Sequence, residues 1–301
     1  MSEKASTSEV RARTLFNDGW RFNRGGPTVD LAQLRDWIMA TGTDLINEGV
    51  KKPTRPDAEP DIGQTFARAD IDDREWRQLR LPHDWGIEGP FSQELPGETG
   101  KLPWHGVGWY RNRFTIDGAH AEDCLFLDVD GAMSHSAVWL NGNFVGGWPY
   151  GYSSYRLELT PYLKFGEENV IAIRLQNPEN CSRWYPGAGI YRNLWLVRTS
   201  KVRIRHWGVF VTTPRVTSRE AIVNVDVTLE NTTDAARTLS LSTSIYELDA
   251  EDRPSKKPVA VAQPCQLALR GNAETLCTQV LRIKKPKLWS LRHTNRYLAI
   301  T

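Results

Sequence analysis

Polar and charged residues dominate the first thirteen positions, and apolar alternation begins at Trp20 and Phe22, just after the turn signal Asn17-Asp18-Gly19. Residues 1–13 are therefore expected to form a disordered arm. Over 29–42 the period changes. Leu31, Leu34, Trp37 and Ile38 recur at spacings of three and four behind Asp30, which predicts a capped helix. The stretch 51–73 is charged and interrupted by Pro53, Pro56 and Pro60, so it reads as an irregular surface insertion.

From Trp109 onward short strands follow one another. Residues 110–116 alternate, 124–129 form a continuous apolar run, and 137–140 meet the hairpin signal Asn141-Gly142 before Phe144 and Val145. Further strands are predicted over 155–159 and 169–175. Strands this short, with turns between them and no intervening helices, predict an all-β sandwich rather than a parallel sheet. Near Ser200 a second series begins: 202–207, then 222–229 in strict alternation up to the turn Asn231-Thr232-Thr233-Asp234, then 239–248, 259–269, 273–283 and 297–301. That spacing predicts a second, immunoglobulin-like sandwich. Trp139 and Trp195 sit inside strands among apolar neighbours, so both are expected in the core. Cys265 and Cys277 bracket Gly271-Asn272 and are expected as neighbours on a hairpin rather than partners across sheets.

The segment from Ser182 to Leu196 carries the most distinctive chemistry. Ser182, Arg183, Trp184 and Tyr185 precede Pro186, Gly187 and Gly189, where backbone freedom replaces side-chain bulk, and the segment ends as a strand. A loop displaying Arg, Trp and Tyr in front of a stiff strand suits a sugar, because aromatic faces stack on C–H surfaces while a guanidinium bonds hydroxyls. Read without context, it is first a Gly-rich hairpin with a Trp plugging the core, since Gly/Pro clusters usually mark turns. Asp84, within Pro82-His83-Asp84-Trp85, reads as either a substrate contact or a turn-forming residue bonding its own backbone. The Gly/Pro-rich stretch 86–108 is the kind of long loop a rigid sandwich presents for binding.

Taken together with Leu81-Pro82-His83-Asp84-Trp85, Gly106-Val107-Gly108-Trp109-Tyr110-Arg111, Val138-Trp139-Leu140-Asn141-Gly142 and Gly151-Tyr152, this segment resembles the non-catalytic front end of glycoside hydrolase family 2, the beta-galactosidase and beta-glucuronidase family. The resemblance implies a galactose-binding-type jelly roll over 14–200, elaborated by an insertion at 25–73, and an immunoglobulin-like sandwich over 201–301. It also implies that Ser182 and Arg183 contact the non-reducing sugar and that Trp184 and Tyr185 supply the aromatic part, with Asn180-Cys181 standing where some relatives place an Asp. In the resembled enzymes the two catalytic glutamates lie in a following (β/α) barrel, a fold of about 200 residues or more. This chain reaches Thr301 with no alternation of strands and helices, so that barrel is expected to be absent and no residue here is assigned as catalytic. Asn47-Glu48 matches the family's acid/base pair of residues only by chance, since a two-residue motif recurs often. Glu88, Glu94 and Glu98 lie in the long loop, which holds carboxylates too loosely for general acid work.

Composition narrows the field further. Twelve tryptophans point to packed sandwich cores or carbohydrate platforms, while a net charge of +2 from 38 basic and 36 acidic residues gives no electrostatic argument for nucleic acid or a membrane. The four cysteines, Cys124, Cys181, Cys265 and Cys277, show no CxxC spacing, so no metal or cofactor is expected and they read as free thiols. His105 and His135 read as loop or strand residues. A polar N-terminus and the lack of any run of about 20 apolar residues lead to the expectation of a cytoplasmic protein. The function expected is the amino-terminal, non-catalytic part of a beta-galactosidase-like retaining glycoside hydrolase. Its partners would be a terminal beta-galactoside or related sugar, the missing catalytic barrel and, in some assemblies, further copies of itself. The alternatives are a stand-alone carbohydrate-binding module and a structural or oligomerisation fragment without ligand.

Overall fold

The computed structural model describes residues 11–38, 62–97, 100–179 and 187–301, and it divides into two compact units, Met1–Thr199 and Ser200–Thr301. The first unit is a sandwich of ten strands: β1 (Arg11–Leu15), β2 (Trp20–Arg24), β3 (Arg77–Leu79), β4 (Gly106–Thr115), β5 (Cys124–Val129), β6 (Ser136–Leu140), β7 (Asn143–Trp148), β8 (Tyr155–Glu158), β9 (Glu168–Asn177) and β10 (Leu194–Thr199). One sheet runs β1-β10-β5-β8 and the other β3-β2-β4-β9-β6-β7, with every pairing antiparallel. Strand β1 already pairs at Arg11 with Thr199, so regular structure begins inside the span expected as a disordered arm.

The core between the sheets follows from strand periodicity. Alternate residues point inward, so Leu125, Leu127 and Val129 of β5 meet Val138 and Leu140 of β6 and Ile171, Ile173 and Leu175 of β9. Trp20 closes one end, its indole N–H donating to the Phe16 carbonyl at 2.9 Å.

The six-stranded sheet is covered on its other face as well. Trp109, Ala137, Trp139 and Ala172 point away from the sandwich core and pack against Leu34, Trp37 and Ile38 of helix α1 (Leu31–Ile38), together with Ile62 and Ala67. Trp37 lies 3.7 Å from the Phe144 ring, centroid to centroid. The helix predicted over 29–42 is thus seen from Leu31 to Ile38, and residues beyond it lie outside the described ones. The described part of 51–73 is not a loose surface insertion: it contains a 3-10 turn at Gln64–Ala67 and ends in a buried carboxylate. Asp73 receives Arg111 Nε at 2.8 Å and Arg113 Nη2 at 3.2 Å, while Arg111 Nη1 donates to the carbonyls of Phe66 and Arg68. Burial alone would raise the Asp73 carboxyl, but the hydrogen bond from Arg111 and the charge of Arg113 outweigh it and hold it below its ordinary range.

Trp139 is buried, as its position in a strand predicts. Trp195 is not. It is half-buried on the outer face of the four-stranded sheet, where the Arg13 guanidinium lies 3.7 Å over its ring and Asp130 accepts its indole N–H at 2.9 Å.

The second unit is a smaller sandwich of β11 (Val202–Val216), β12 (Glu220–Asn231), β13 (Arg237–Leu241), β14 (Ser244–Glu247), β15 (Ala260–Val261), β16 (Cys265–Leu269), β17 (Ala273–Lys284) and β18 (Tyr297–Ile300). Its sheets run β11-β12-β17, β13-β16 and β15-β14-β18. Val223, Val225, Val227 and Leu229 alternate along β12 and face Leu241, Ile245 and Leu269. Gly271 makes the crossing between sheets possible, because a Cβ there would fall 2.1 Å from the Asp234 carbonyl oxygen. That crossing corrects the expectation for the cysteines. Cys265 pairs within the β13-β16 sheet and Cys277 within β11-β12-β17, so the two face each other through the core of the unit instead of sitting side by side on a hairpin. Both are free thiols, and burial together with a hydrogen bond to Cys265 pushes the Cys277 thiol up to about 11. Among the described residues no helix is long and apolar enough to cross a membrane.

Candidate functional site

At one end of the first unit, three stretches distant in sequence are joined through backbone hydrogen bonds. His83 N–H donates to the Ile190 carbonyl and Trp85 N–H to the Ala188 carbonyl, each at 2.8 Å, while Gly189 exchanges two hydrogen bonds with Met133 at 2.9 and 3.0 Å. Gly189 is thereby held between the 83–85 and 133 stretches with φ at +125°, and a Cβ on it would come 2.4 Å from the His83 carbonyl oxygen and 2.6 Å from the Tyr110 hydroxyl. No other residue fits that gap without moving backbone.

Asp84 completes the junction. Its Oδ1 accepts from Gly86 N–H at 2.8 Å and from Ala188 N–H at 3.0 Å, so one oxygen both closes its own turn and fastens a segment 104 residues away. Burial raises the Asp84 carboxyl above its ordinary range, opposed by these backbone N–H groups. The turn-forming reading of Asp84 is the one its hydrogen bonds match, and its Oδ2 lies 3.5 Å from the Cβ position of Gly187.

The other side of the junction is fixed by the end of β9. Asn177 Nδ2 donates to the Gly187 carbonyl at 3.0 Å and to the Trp104 carbonyl at 3.3 Å, and its Oδ1 accepts from Ser134 Oγ at 3.1 Å. Trp85 Nε1 donates to the same Trp104 carbonyl at 3.0 Å. Residues 177 and 187, which flank the segment 180–186, are therefore tied directly to each other. Ser182, Arg183, Trp184 and Tyr185 lie outside the described residues.

A polar chain runs from Tyr110 through His83 and Glu88 to Arg77. The Tyr110 hydroxyl lies 2.6 Å from His83 Nδ1, Glu88 Oε1 lies 3.0 Å from His83 Nε2, and Arg77 pairs with Glu88 at 2.8 Å. Burial pushes the His83 imidazole below its ordinary value despite the neighbouring Glu88, so the ring is neutral and orienting in character. Burial also raises the Glu88 carboxyl, but hydrogen bonds from Arg77 and His83 outweigh it and hold that group below its usual range. His135 is likewise lowered by burial, and its ring Nδ1 lies 2.9 Å from Ser134 Oγ. His105 approaches Glu179 at 3.9 Å.

Sequence reading gave no role to Tyr150. It is exposed, as is Tyr152, and the two rings lie 5.7 Å apart on either side of Gly151. Gly151 packs on Met133, where a Cβ would meet the sulfur at 2.2 Å, and its carbonyl accepts from the Tyr191 hydroxyl at 2.9 Å. The pair is therefore anchored to the same junction as Asp84. Two exposed tyrosines around a Gly on a Gly/Pro-rich turn were the available signal. Among the described residues no group of three or more His, Cys, Asp or Glu is placed to hold a metal ion. What the junction offers is a stiff rim: backbone-locked loops, a partly buried carboxylate, and aromatic faces open to solvent, a combination suited to the hydroxyls and C–H faces of a sugar.

Comparison with known proteins identifies the family of the chain. Residues 202–301 match the family described as glycosyl hydrolases family 2, and residues 73–180 match the beta-galactosidase second all-beta domain. A beta-galactosidase of Bacteroides ovatus is 42% identical over 242 residues, covering 79% of this chain, and a beta-glucuronidase of Bacteroides fragilis is 27% identical over 71% of it. The chain spans 28% of the length of the first and 30% of the second. Among solved structures, a glycosyl hydrolase family 2 member from Bacteroides cellulosilyticus superposes with a TM-score of 0.74 at 31% identity, covering 95% of this chain and 32% of that one.

Proposed function

The chain belongs to glycosyl hydrolase family 2, and from that premise we propose that it forms the amino-terminal, non-catalytic part of a beta-galactosidase-like retaining glycosidase and completes the sugar site of that enzyme. Two carboxylates about 5–5.5 Å apart perform retaining hydrolysis, one as acid/base and one as nucleophile. In this reading both belong to a catalytic barrel outside residues 1–301, which fits the modest share of the relatives' length that the chain spans. The present chain supplies a wall: Ser182 and Arg183 bond sugar hydroxyls, Trp184 and Tyr185 cover a C–H face, and Asp84 either contacts the sugar or holds the segment that does.

The observation that carries this reading is the junction itself. Asn177 and Gly187 are tied to each other, and Gly187–Ile190 is locked against Asp84 and Met133, so the segment carrying Ser182–Tyr185 springs from a rigid base. A rigid base fixes where the ends of a binding segment lie, and that is a condition for a wall of a sugar site. The 42% identical relative named a beta-galactosidase favours a terminal beta-galactoside as substrate. In a complete enzyme, Arg183→Ala is expected to lower kcat/KM by roughly ten- to a hundred-fold, the loss of one charged hydrogen bond in the transition state. An unchanged kcat/KM would remove Arg183 from the site.

The exposed Tyr150 and Tyr152 pair supports a second reading, a carbohydrate-binding module that holds sugar without help from a barrel. Titrating galactose into residues 1–301 by calorimetry separates the two. Millimolar or weaker binding, about −4 kcal/mol or less, fits an incomplete site, and micromolar binding fits the module.

A further inference from the structure

At Gly271 the chain crosses between the two layers of the second unit, so β16 and β17 run back from that corner in different sheets. Inward positions alternate along both. Cys265, Leu267 and Leu269 of β16, and Cys277, Gln279, Leu281 and Ile283 of β17, are buried or half-buried, while the residues between them are exposed.

A side chain that spans the layers shows which positions of the two rows face each other. Gln279 Nε2 donates to the Gln263 carbonyl at 3.3 Å and to the carbonyl of Leu241, the residue paired with Cys265 in β13, at 3.2 Å. Gln263 and Gln279 stand eight residues before and eight after Gly271, and Cys265 and Cys277 stand six before and six after. The next rung toward the corner is therefore Cys265 opposite Cys277, and the two thiols hydrogen-bond to each other. Free cysteines commonly pack as small apolar side chains, but that role asks for no such alignment. Cys277 is 7% exposed and Cys265 is half-buried, so a reagent arriving from solvent meets Cys265 first.

We propose that Cys265 and Cys277 are a redox-responsive pair, which closes to a disulfide across the second sandwich when a small disulfide such as oxidised glutathione is supplied. The Cys265 thiolate attacks one sulfur of the reagent, forming a mixed disulfide and releasing one glutathione thiol. The Cys277 thiolate then attacks the Cys265 sulfur, forming the Cys265–Cys277 bond and releasing the second. Two protein thiols are oxidised, one reagent disulfide is reduced, and the two thiol protons end on the released glutathione. Sulfurs that already share a hydrogen bond have only to lose that proton and approach to about 2.05 Å. The bond staples the two layers beside Gln279 and stabilises the fold by restricting the unfolded chain.

Residues 1–301, folded and equilibrated with oxidised glutathione at pH 8.5, then acid-quenched, alkylated and digested, should yield peptides joined through Cys265 and Cys277. Cys277→Ser should stop after the first step and carry glutathione on Cys265. With reduced glutathione added in steps, the folded chain should keep the bond to about a hundredfold higher [GSH]²/[GSSG] than the same chain in urea, the factor expected for a loop of this size. A digest in which Cys265 and Cys277 stay thiols or pair elsewhere, a Cys277→Ser chain with no adduct on Cys265, or a bond that opens at the same ratio in the folded chain and in urea would each overturn the proposal. The first and last of these use the unsubstituted chain, so neither depends on the variant folding.

Discussion

Asp84 Oδ1 holds two backbone N–H groups, one in its own turn and one 104 residues away, and no apolar side chain can replace that clamp. Asp84→Ala is expected to destabilise the chain by about 2–4 kcal/mol in urea unfolding, because two donors lose a charged acceptor in a half-buried place. Asp84→Asn keeps an acceptor oxygen and should cost about 1 kcal/mol or less. Equal losses for the two substitutions would mean that the negative charge, not the clamp, is what the fold requires there. His83 gives a second check at this scale. Its folded pKa lies below the ordinary value of 6.5, so between those two values the unfolded chain binds more protons than the folded one. The contribution of His83 is thus complete above about pH 6.5 and is lost progressively as pH falls below it. The melting temperature should drop between pH 7.5 and pH 5.5, and His83→Gln should flatten part of that slope. A remainder is expected from His135, whose pKa is lowered in the same sense, while the depressed Glu88 carboxyl acts only at more acid pH.

Elements were legible where one face of a strand is wet. Strict alternation along 222–229 marks β12, whose buried residues are Val223, Val225, Val227 and Leu229. The sequence was less informative where both faces are dry. Ala137, Val138, Trp139 and Leu140 are apolar at both parities, as are residues 170–173, and such runs mean that something covers the back of the sheet. That something is α1 and the described part of 51–73, a stretch that charge and prolines mark as irregular surface. Trp195 shows the converse. Its apolar neighbours suggested core, but the side chain faces outward and is covered by Arg13, a residue from the arm's own expected span. The packing of the insertion predicts a specific cost. Trp37, 1% exposed and stacked on Phe144, should lose about 3–5 kcal/mol on replacement by Ala, read as a lowered urea midpoint. A loss below about 1 kcal/mol would show that α1 merely rests on the sheet.

At the scale of the whole molecule, both sandwiches could be anticipated because short strands and turn residues are written locally. The site could be anticipated only through its resemblance to a family, since Asp84, Met133, Asn177 and Gly189 meet through contacts that no local pattern encodes. Arg174 gives the same lesson: it reads as one more alternating residue of a strand until its complete burial is seen. The proposed function has this chain build a wall of a glycosidase site and hold none of its reacting carboxylates. Purified residues 1–301, incubated with a chromogenic beta-galactoside and separately with a chromogenic beta-glucuronide, test it most directly. No turnover of either is expected, and turnover that a single Glu or Asp substitution within the chain abolishes would place the reacting carboxylates here instead.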